Sequence, residues 1–377
     1  MIYIYPSFSA LRTNSSAKKA LTDAMSCAIT EQKNGAFCLV MTYPIAGTNA
    51  DQIDVNAVLM TVPRPYADPE PFRIYEIDQT IAGVITVRAN HIAYNLDGRP
   101  ALGMSETGIT NVLRAINSWA GTAFHVTVDG ITDETTQFDI IKPQSVWATI
   151  GGSNSLVSHF GGELSYHWDA FNNRCVITLH AHRGTAKNTV IKYGVNIVSL
   201  NRKKTVGGMY SAVIAFWSDG QNGQNTVFSN GYQTGVTELD RWLILDVSKD
   251  YAEAPTSAEL NEYVQDYIAK HDFTTQNELT VGYIPLENTT QYEPINVAIV
   301  GLAIVGTSII GGAYGLVAGE QLDLCDTAPI DASFIGVTAT AQCVEVVYNE
   351  LKNKYDKITV GTIQSTIIDQ IIKNSEG

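Results

Sequence analysis

Short runs of β-branched and aromatic residues recur along the whole chain, and turn dipeptides separate them. Such residues favour the pleated, half-buried surface of a β-sheet. Four runs are especially clear, and they cover residues 37–43, 83–89, 174–180 and 338–347. The turn signals are Asn34–Gly35, which is the strongest hairpin dipeptide, and Asp97–Gly98, Asp129–Gly130, Asp219–Gly220 and Asn230–Gly231. The sequence therefore predicts a mainly β fold with α+β subdomains.

Three segments carry helical signals instead. Near the N-terminus, Asn14 or Ser15 is expected to cap a short helix through residues 18–21. Residues 105–120 repeat apolar side chains at helical spacing, namely Ile109, Val112, Leu113 and Ile116. The third segment, 257–271, follows a capping-box pair, Thr256 and Glu259, and its stripe is Leu260, Tyr263, Val264, Tyr267 and Ile268. We expect all three helices to pack against sheets.

The charge balance limits the possible partners. The 377 residues include 38 acidic and 24 basic side chains, which gives a net charge of −14. A nucleic-acid-binding protein needs a basic stripe, and this composition argues against one. From His271 to Leu351 there are ten acidic residues and no Lys or Arg. Ordinary surface solvation is one interpretation of this pattern.

No group of residues in the sequence has the spacing of a catalytic or metal site. His180 and His182 share one face of a strand, but nothing nearby supplies a third ligand. The glycine-rich segment 151–155 matches neither a dinucleotide fingerprint nor a P-loop, and no nucleophile elbow is present. The five cysteines form no CxxC pair, so we interpret Cys27, Cys38, Cys175, Cys325 and Cys343 as buried free thiols. We therefore expect no enzymatic activity, no cofactor and no metal.

Several segments, read in order, resemble the N-terminal structural region of phage minor tail proteins, the tail-associated hub proteins of phages that infect Gram-positive bacteria. The order and spacing of these segments across nearly the whole chain carry the resemblance. They are 21–35, 41–44, 71–75, 91–98, 179–184, 191–194, 200–201, 255–256, 324–327, 348–351 and 355–361.

The resemblance implies a baseplate-hub fold with two tube-forming β-barrel domains and two peripheral domains. On this basis we expect a first tube domain at 1–95, a peripheral α+β domain at 96–184 and a peripheral β-rich domain at 185–250. The second tube domain is expected at 251–377, with a capping helix at 257–271 and a hydrophobic loop at 294–319. Because the sequence ends at Gly377, we expect a short form without a C-terminal lysin.

The resemblance also implies a ring of identical copies, a trimer with a hexamer as the alternative, that closes the distal end of the tail tube. The expected partners are other copies of the chain, tail tube or distal tail proteins, fibre proteins and, transiently, the host membrane. DNA is expected to pass through the ring without specific binding. The first 30 residues contain no continuous apolar stretch, so we expect synthesis in the host cytoplasm and a final place in the virion. The alternative function is a tail-associated cell-wall hydrolase or endopeptidase.

Residues 294–319 form an uncharged segment of 26 residues. As one helix it would reach roughly 39 Å, longer than a hydrocarbon core of about 30 Å. Six glycines and acidic flanks argue against a permanent membrane anchor. A pair of buried strands that turn at Gly311–Gly312 stays open as one interpretation.

The favoured interpretation is a hydrophobic loop that plugs the lumen and enters the host membrane during DNA ejection, because glycine-rich apolar composition is similar to that of fusion peptides. The residues assigned to this loop are Ile295, Val297, Ile299, Val300, Leu302, Ile304, Val305, Ile309, Ile310, Tyr314, Leu316 and Val317. If the second tube domain faces a lumen, its acidic residues would repel phosphate, and this interpretation stays open beside ordinary surface solvation. The acidic candidates for the lumen are Glu320, Asp323 and Asp326.

Overall fold

The computed structural model describes residues 1–13, 15–187, 190–192, 197–205, 209–220, 225–237, 240–251, 253–271, 273, 276–283, 322–332 and 337–361. Strands dominate these segments, which confirms the mainly β class. The helices are α1 (Phe8–Thr13), α2 (Ile109–Ala120), α3 (Val146–Gly151), α4 (Leu156–Phe160) and α5 (Ser257–Lys270).

The strands fall into two groups along the chain. The first group is β1 (Ile2–Tyr5), β2 (Lys19–Leu21), β3 (Ser26–Gln32), β4 (Phe37–Pro44), β5 (Val58–Thr61), β6 (Glu70–Gln79), β7 (Val84–His91), β8 (Pro100–Ala101), β9 (Met104–Thr107), β10 (Phe124–Asp129), β11 (Gln137–Ile140), β12 (Gln144–Ser145), β13 (Glu163–Asp169) and β14 (Arg174–His180). The second group is β15 (Ile191–Lys192), β16 (Ile197–Thr205), β17 (Ala212–Ser218), β18 (Thr226–Phe228), β19 (Tyr232–Gln233), β20 (Trp242–Asp246), β21 (Gln276–Tyr283), β22 (Thr327–Ala332), β23 (Val337–Asn349) and β24 (Lys354–Val360).

Thirteen strands form one open, curled sheet, which we call the large sheet. Its order is β16–β21–β24–β23–β3–β4–β7–β6–β5–β1–β2, and β22 and β15 join it through β23. The β3–β23 pairing connects the two ends of the sequence, because Thr30 lies opposite Val347 and Ala28 opposite Asn349. The strands that we assigned to separate tube domains at 1–95 and 251–377 therefore belong to one continuous sheet.

Alternation of apolar and polar residues explains the first half of this sheet. In β4, the side chains of Phe37, Leu39, Met41 and Tyr43 are buried, and the residues between them are partly exposed. Burying each such side chain contributes roughly 1.5–3 kcal/mol of transfer free energy. The β3–β4 hairpin turns at Asn34–Gly35 as predicted, with Asn34 at a φ of 49°.

The region 96–184 contains a three-stranded sheet, β10–β14–β13, and most of the helices. Helix α2 buries Ile109, Val112 and Ile116 as its periodicity predicts. It begins at Ile109 rather than near residue 105, because residues 104–107 form β9 and pair with β11. Gly108, with a φ of 83°, makes the bend between strand and helix.

A second hydrophobic core lies in a smaller unit that spans residues 209–273. Its strands β18, β19 and β20 all pair with β17, and α5 packs on them through Leu260 and Val264. The capping box of Thr256 and Glu259 is present as predicted. The helix expected to cap the second tube domain therefore belongs to this unit, since its apolar stripe is buried against β17.

Two further expectations differ from the structure. Strand β16 falls within the expected peripheral domain 185–250 but pairs with β21 in the large sheet. Residues 19–21 form β2 instead of the end of a short helix, because they pair with β1.

The five cysteines are free, and all except the partly exposed Cys38 are buried. Within the described residues, no helix combines the length and the apolar character needed to span a membrane.

Candidate functional surface

The two faces of the large sheet differ in character. One face packs into the hydrophobic core, whereas the other carries small side chains that are partly exposed. We call the second the small-residue face, and it includes Ala28, Thr30, Cys38, Val40, Thr42, Thr86, Asn90, Val347 and Asn349. The strand registers place these residues beside one another, as with Thr30, which lies between Cys38 and Val347.

The charged side chains on the small-residue face include two pairs of opposite charge. Arg88 of β7 lies 3.0 Å from Glu76 of β6, and Lys357 of β24 lies 2.5 Å from Glu345 of β23. Burial opposes ionisation of Glu345, but hydrogen bonds from Lys357 and Gln32 lower its pKa. Arg73, Asp78 and Lys354 add charges of both signs to the face. The face is therefore of mixed charge rather than uniformly acidic or basic.

One end of the central strands is covered by the chain itself. The turn between β3 and β4 lies under the start of β13, where the Asn34 Nδ2 donates to the carbonyl of Gly162 at 2.9 Å. The Leu164 N–H donates to the Asn34 Oδ1 at 2.7 Å. Beside it, Lys33 Nζ lies 3.1 Å from Glu163 Oε1. We call this the capped end.

Buried charges reinforce the capped end. Glu31 of β3 is buried, and its carboxylate lies 2.7 Å from Arg183 Nη2 and 3.2 Å from Arg64 Nη1. Burial alone would raise the pKa of Glu31, but the two guanidinium groups lower it. The same contact raises the pKa of Arg183 against the effect of its burial. Both groups are therefore charged, and they tie β3 to the segment that follows β14.

A second carboxylate at this end contacts two imidazoles. Glu70 Oε2 lies 3.2 Å from His91 Nε2, and Glu70 Oε1 lies 3.4 Å from His167 Nδ1. The Ala93 N–H donates to His91 Nδ1, which assigns the proton of a neutral His91 to Nε2. The hydrogen bond to Glu70 raises the pKa of His167, with burial as an opposing effect.

The opposite end of the same strands has exposed apolar residues at four adjacent positions. Leu351 lies in the β23–β24 turn, Met25 precedes β3, Ile45 follows β4 and Ile81 lies in the β6–β7 turn. Ile81 is fully exposed, and Met25, Ile45 and Leu351 are 58%, 48% and 44% exposed. Backbone bonds hold neighbouring positions together, as between the Met25 N–H and the Thr42 carbonyl. We call this row the apolar end.

Two of the three acidic residues proposed for the lumen have specific partners in the described chain. Asp326 is buried, accepts hydrogen bonds from Thr185 and lies 3.3 Å from Lys187. Asp323 is partly exposed, lies 3.5 Å from Arg64 and accepts a hydrogen bond from Tyr355. Both therefore contribute to the junction near the capped end. Glu320 and all the loop residues assigned within 294–319 lie outside the described residues.

Glu31, the buried carboxylate at the capped end, was not singled out from the sequence. Glu31 follows Cys27 and Ile29 at alternate positions of a strand, and this spacing places an acid on the core face. A charge at such a position signals a buried ion pair.

Among the histidines considered as metal ligands, His180 instead lies 3.0 Å from Asp129 and 2.8 Å from the Ser165 hydroxyl.

Comparison with known proteins shows which solved structures have a similar fold. The sequence matches no family model and no curated protein. The structure is similar to a prophage tail protein, gp18, from Listeria monocytogenes EGD-e, with a TM-score of 0.57 and 13% identity over 100% of this chain and 98% of that one. The 43 kDa tail protein of prophage MuSo2 from Shewanella oneidensis gives a TM-score of 0.55 and 12% identity, with 89% and 94% of the chains covered.

A third similar structure is the tail protein from Neisseria meningitidis MC58, with a TM-score of 0.54 and 11% identity. It covers 96% of each chain. The restriction to phages that infect Gram-positive bacteria stays a prediction. The resemblance to tail proteins is confirmed at the level of structure, and the chain has the fold of prophage tail proteins.

Proposed function

We propose that the chain is a structural subunit of a phage tail, in which identical copies form a ring at the distal end of the tail tube. The observation that carries this proposal is the large open sheet, in a chain that is similar over nearly its whole length to prophage tail proteins. The role needs no catalytic step. Lysis in a peptidoglycan zymogram would instead favour the hydrolase alternative.

The edges of the large sheet support ring formation. Among the described strands, β2 pairs only with β1, and β16 pairs only with β21. Unpaired edge strands favour pairing with another chain, and closure into a ring removes them. A trimer is the preferred state and a hexamer is the alternative. Contact between β2 of one copy and β16 of the next would extend the sheets into a closed wall.

The small-residue face suits the inner wall of such a tube. Basic side chains that contact phosphates add affinity and would retard a moving DNA. On this face Arg88 and Lys357 each pair with a carboxylate, Asp78 offsets part of the charge of Arg73 and Lys354, and many neighbouring side chains are small and uncharged. DNA would therefore pass without specific binding.

The apolar end would contact the neighbouring tail protein. The capped end is covered by β13, whereas the apolar end exposes Met25, Ile45, Ile81 and Leu351. Contiguous exposed apolar residues mark interaction surfaces. The row follows the order of strands in the sheet, so a partner with a ring-shaped end, such as a tube or distal tail protein, would contact it in every copy.

The double variant Ile45→Asp and Ile81→Asp tests this arrangement. Both side chains are exposed, so we expect the folded chain to keep its stability within about 0.5 kcal/mol. Incorporation into tails should fall at least about tenfold, because charges would replace the apolar contact. Quantitative mass spectrometry of purified tails from a complemented phage measures the incorporation.

Phe171→Asp is the matched control, since Phe171 is 92% exposed in the β13–β14 turn and is not one of the four residues of the apolar end. It should enter tails as the wild type does. Wild-type incorporation of the double variant, or an equal loss in the control, would contradict the assigned contact.

The uncharged segment 294–319 completes the proposal on sequence grounds. Copies of it would plug the lumen before ejection and enter the host membrane during it. Dye release from liposomes tests the membrane step, with the wild type compared to a variant in which 297–317 is a Gly/Ser linker. Leakage only with the wild type is expected, and equal leakage would exclude the membrane role.

A further inference from the structure

Asn34–Gly35 forms the turn of the β3–β4 hairpin, and the start of β13 covers this turn. The side chain of Asn34 makes two hydrogen bonds to the backbone of another part of the chain, at Gly162 and Leu164. The backbone N–H of Gly35 donates to the carbonyl of Gln32 at 3.0 Å. The side-chain amide and the following backbone nitrogen are therefore both engaged.

An Asn–Gly sequence undergoes deamidation because glycine has no Cβ to obstruct the approach of its nitrogen to the preceding side chain. The Gly35 nitrogen would attack the Asn34 Cγ, form a new N–C bond and lose its proton. The bond between Cγ and Nδ2 would break, and Nδ2 would leave as ammonia. Water then opens the resulting succinimide and gives aspartate or isoaspartate. Solvent water is the only co-reactant, and no oxidation or reduction occurs.

The folded structure opposes each part of this reaction. The Asn34 side chain must rotate toward Gly35, which breaks its bonds to Gly162 and Leu164. The Gly35 N–H must leave the Gln32 carbonyl. These bonds are lost together only when β13 separates from the turn, so the reaction should be limited to the open population.

We propose that Asn34 is a conditional modification site, silent while β13 covers the β3–β4 turn and deamidated once that contact opens. The product is a carboxylate, which has no proton to donate to the Gly162 carbonyl and would face its oxygen instead. The carboxylate can still accept from the Leu164 N–H, but the bond to Gly162 is lost, so deamidation would lastingly weaken the contact between the 163–169 strand and the turn. The inference concerns the covalent chemistry of the turn and does not depend on ring formation.

The chain contains a matched control site at Asn230–Gly231. Asn230 and Gly231 are exposed, between β18 and β19. Within the described residues the structure gives no hydrogen bond to the Asn230 side-chain amide, although the Asn230 N–H donates to Asn261. Both sites have the same dipeptide chemistry, and only Asn34 is covered by another part of the chain.

Incubation of the full chain at mildly alkaline pH, followed by peptide mass spectrometry, compares the two sites. In the native protein we expect Asn34 to convert at least about tenfold more slowly than Asn230, and in urea the two rates should become similar. Equal rates in the native protein would overturn the proposal. Persistent silence of Asn34 in urea would overturn it as well.

Hydrogen exchange tests whether deamidation weakens this contact. Asn34→Asp reproduces one product, and it should raise amide exchange at residues 163–169 by about tenfold or more. Asn230→Asp, the control variant, should leave exchange in this strand at the wild-type level. Wild-type exchange in Asn34→Asp would show that the carboxylate is tolerated and would contradict the weakening of the contact.

Discussion

Single residues at the capped end decide how firmly the peripheral strands hold the large sheet. Glu31 is buried between Arg183 and Arg64, and the burial of a charge is costly unless a partner of opposite charge is present. Removing one partner of a buried pair costs far more than removing a surface pair. The buried carboxylate therefore makes the contact sensitive to mutation.

Replacement of Arg183 by alanine should lower the free energy of unfolding by about 3 kcal/mol, since Glu31 would keep only the longer contact to Arg64. Urea denaturation measures the change. Arg88→Ala is the control at an exposed pair, where we expect a loss below about 1 kcal/mol. Similar losses in the two variants would contradict the importance of burial at Glu31.

The His167–Glu70 contact should make stability depend on pH. The contact raises the pKa of His167 above its ordinary value of 6.5, and Asp68 and Asp169 act in the same direction. The protonated imidazole is thus favoured in the folded state, so its contribution is fully present below pH 6.5. It is lost as the pH rises through the raised pKa. Because His167 is half exposed, the effect should stay below about 1 kcal/mol.

Comparison of the wild type with His167→Gln, by urea denaturation over a pH series, measures this contribution. The stability difference should be largest at acidic pH and should disappear at alkaline pH. A difference that grows with rising pH would show that the assigned sign is wrong. The NMR titration of His167 gives the pKa directly and serves as an independent check.

At the scale of elements, local patterns predicted what forms, but distant pairing decided where it lies. Alternation in β4, the Asn34–Gly35 turn and the capping box of α5 are all properties of neighbouring residues. The β3–β23 pairing joins residues from opposite ends of the sequence, and an alternating strand does not specify its partner. For the same reason the stripe of α5 did not reveal that it packs on β17.

The surfaces at the capped and apolar ends also depend on contacts between distant residues, which local sequence patterns do not predict. The sequence indicated a turn at Asn34 but not that β13 covers it. Ile81 lies in a turn, where an apolar residue is unusual, and that is a signal for an exposed contact. Its alignment with Met25, Ile45 and Leu351 depends on the strand order and emerges only from the folded sheet.

Helix α5 offers a test of the smaller unit. Thr256→Ala removes the hydroxyl that accepts from the Glu259 N–H and should cost about 1 kcal/mol. Because α5 packs on β17, hydrogen exchange should rise in residues 212–218 and stay unchanged in the large sheet at residues 37–44. Gln265→Ala, a change at an exposed position of the same helix outside the capping box, is the control and should have a smaller effect. Increased exchange throughout the large sheet would contradict the separation of the two cores.

At the scale of the whole molecule, the account depends on a sheet that is left open in one chain and closed by its neighbours. Three features favour this: the unpaired edges at β2 and β16 within the described residues, the small-residue face, and the contrast between the capped and apolar ends. The edges bound the sheet across its strands, the two ends bound it along its strands, and the small-residue face is one of its two surfaces. One assembly therefore accounts for the edges, the inner wall and the axial contact together.

Electron cryomicroscopy of intact tails tests the ring most directly. The account predicts a closed ring of identical copies at the tail tip, with β2 of each copy beside β16 of the next and with Ile45 and Ile81 against the adjacent tail protein. Tails in which the chain is absent, or is present as isolated single copies on the periphery with both sheet edges exposed, would contradict it.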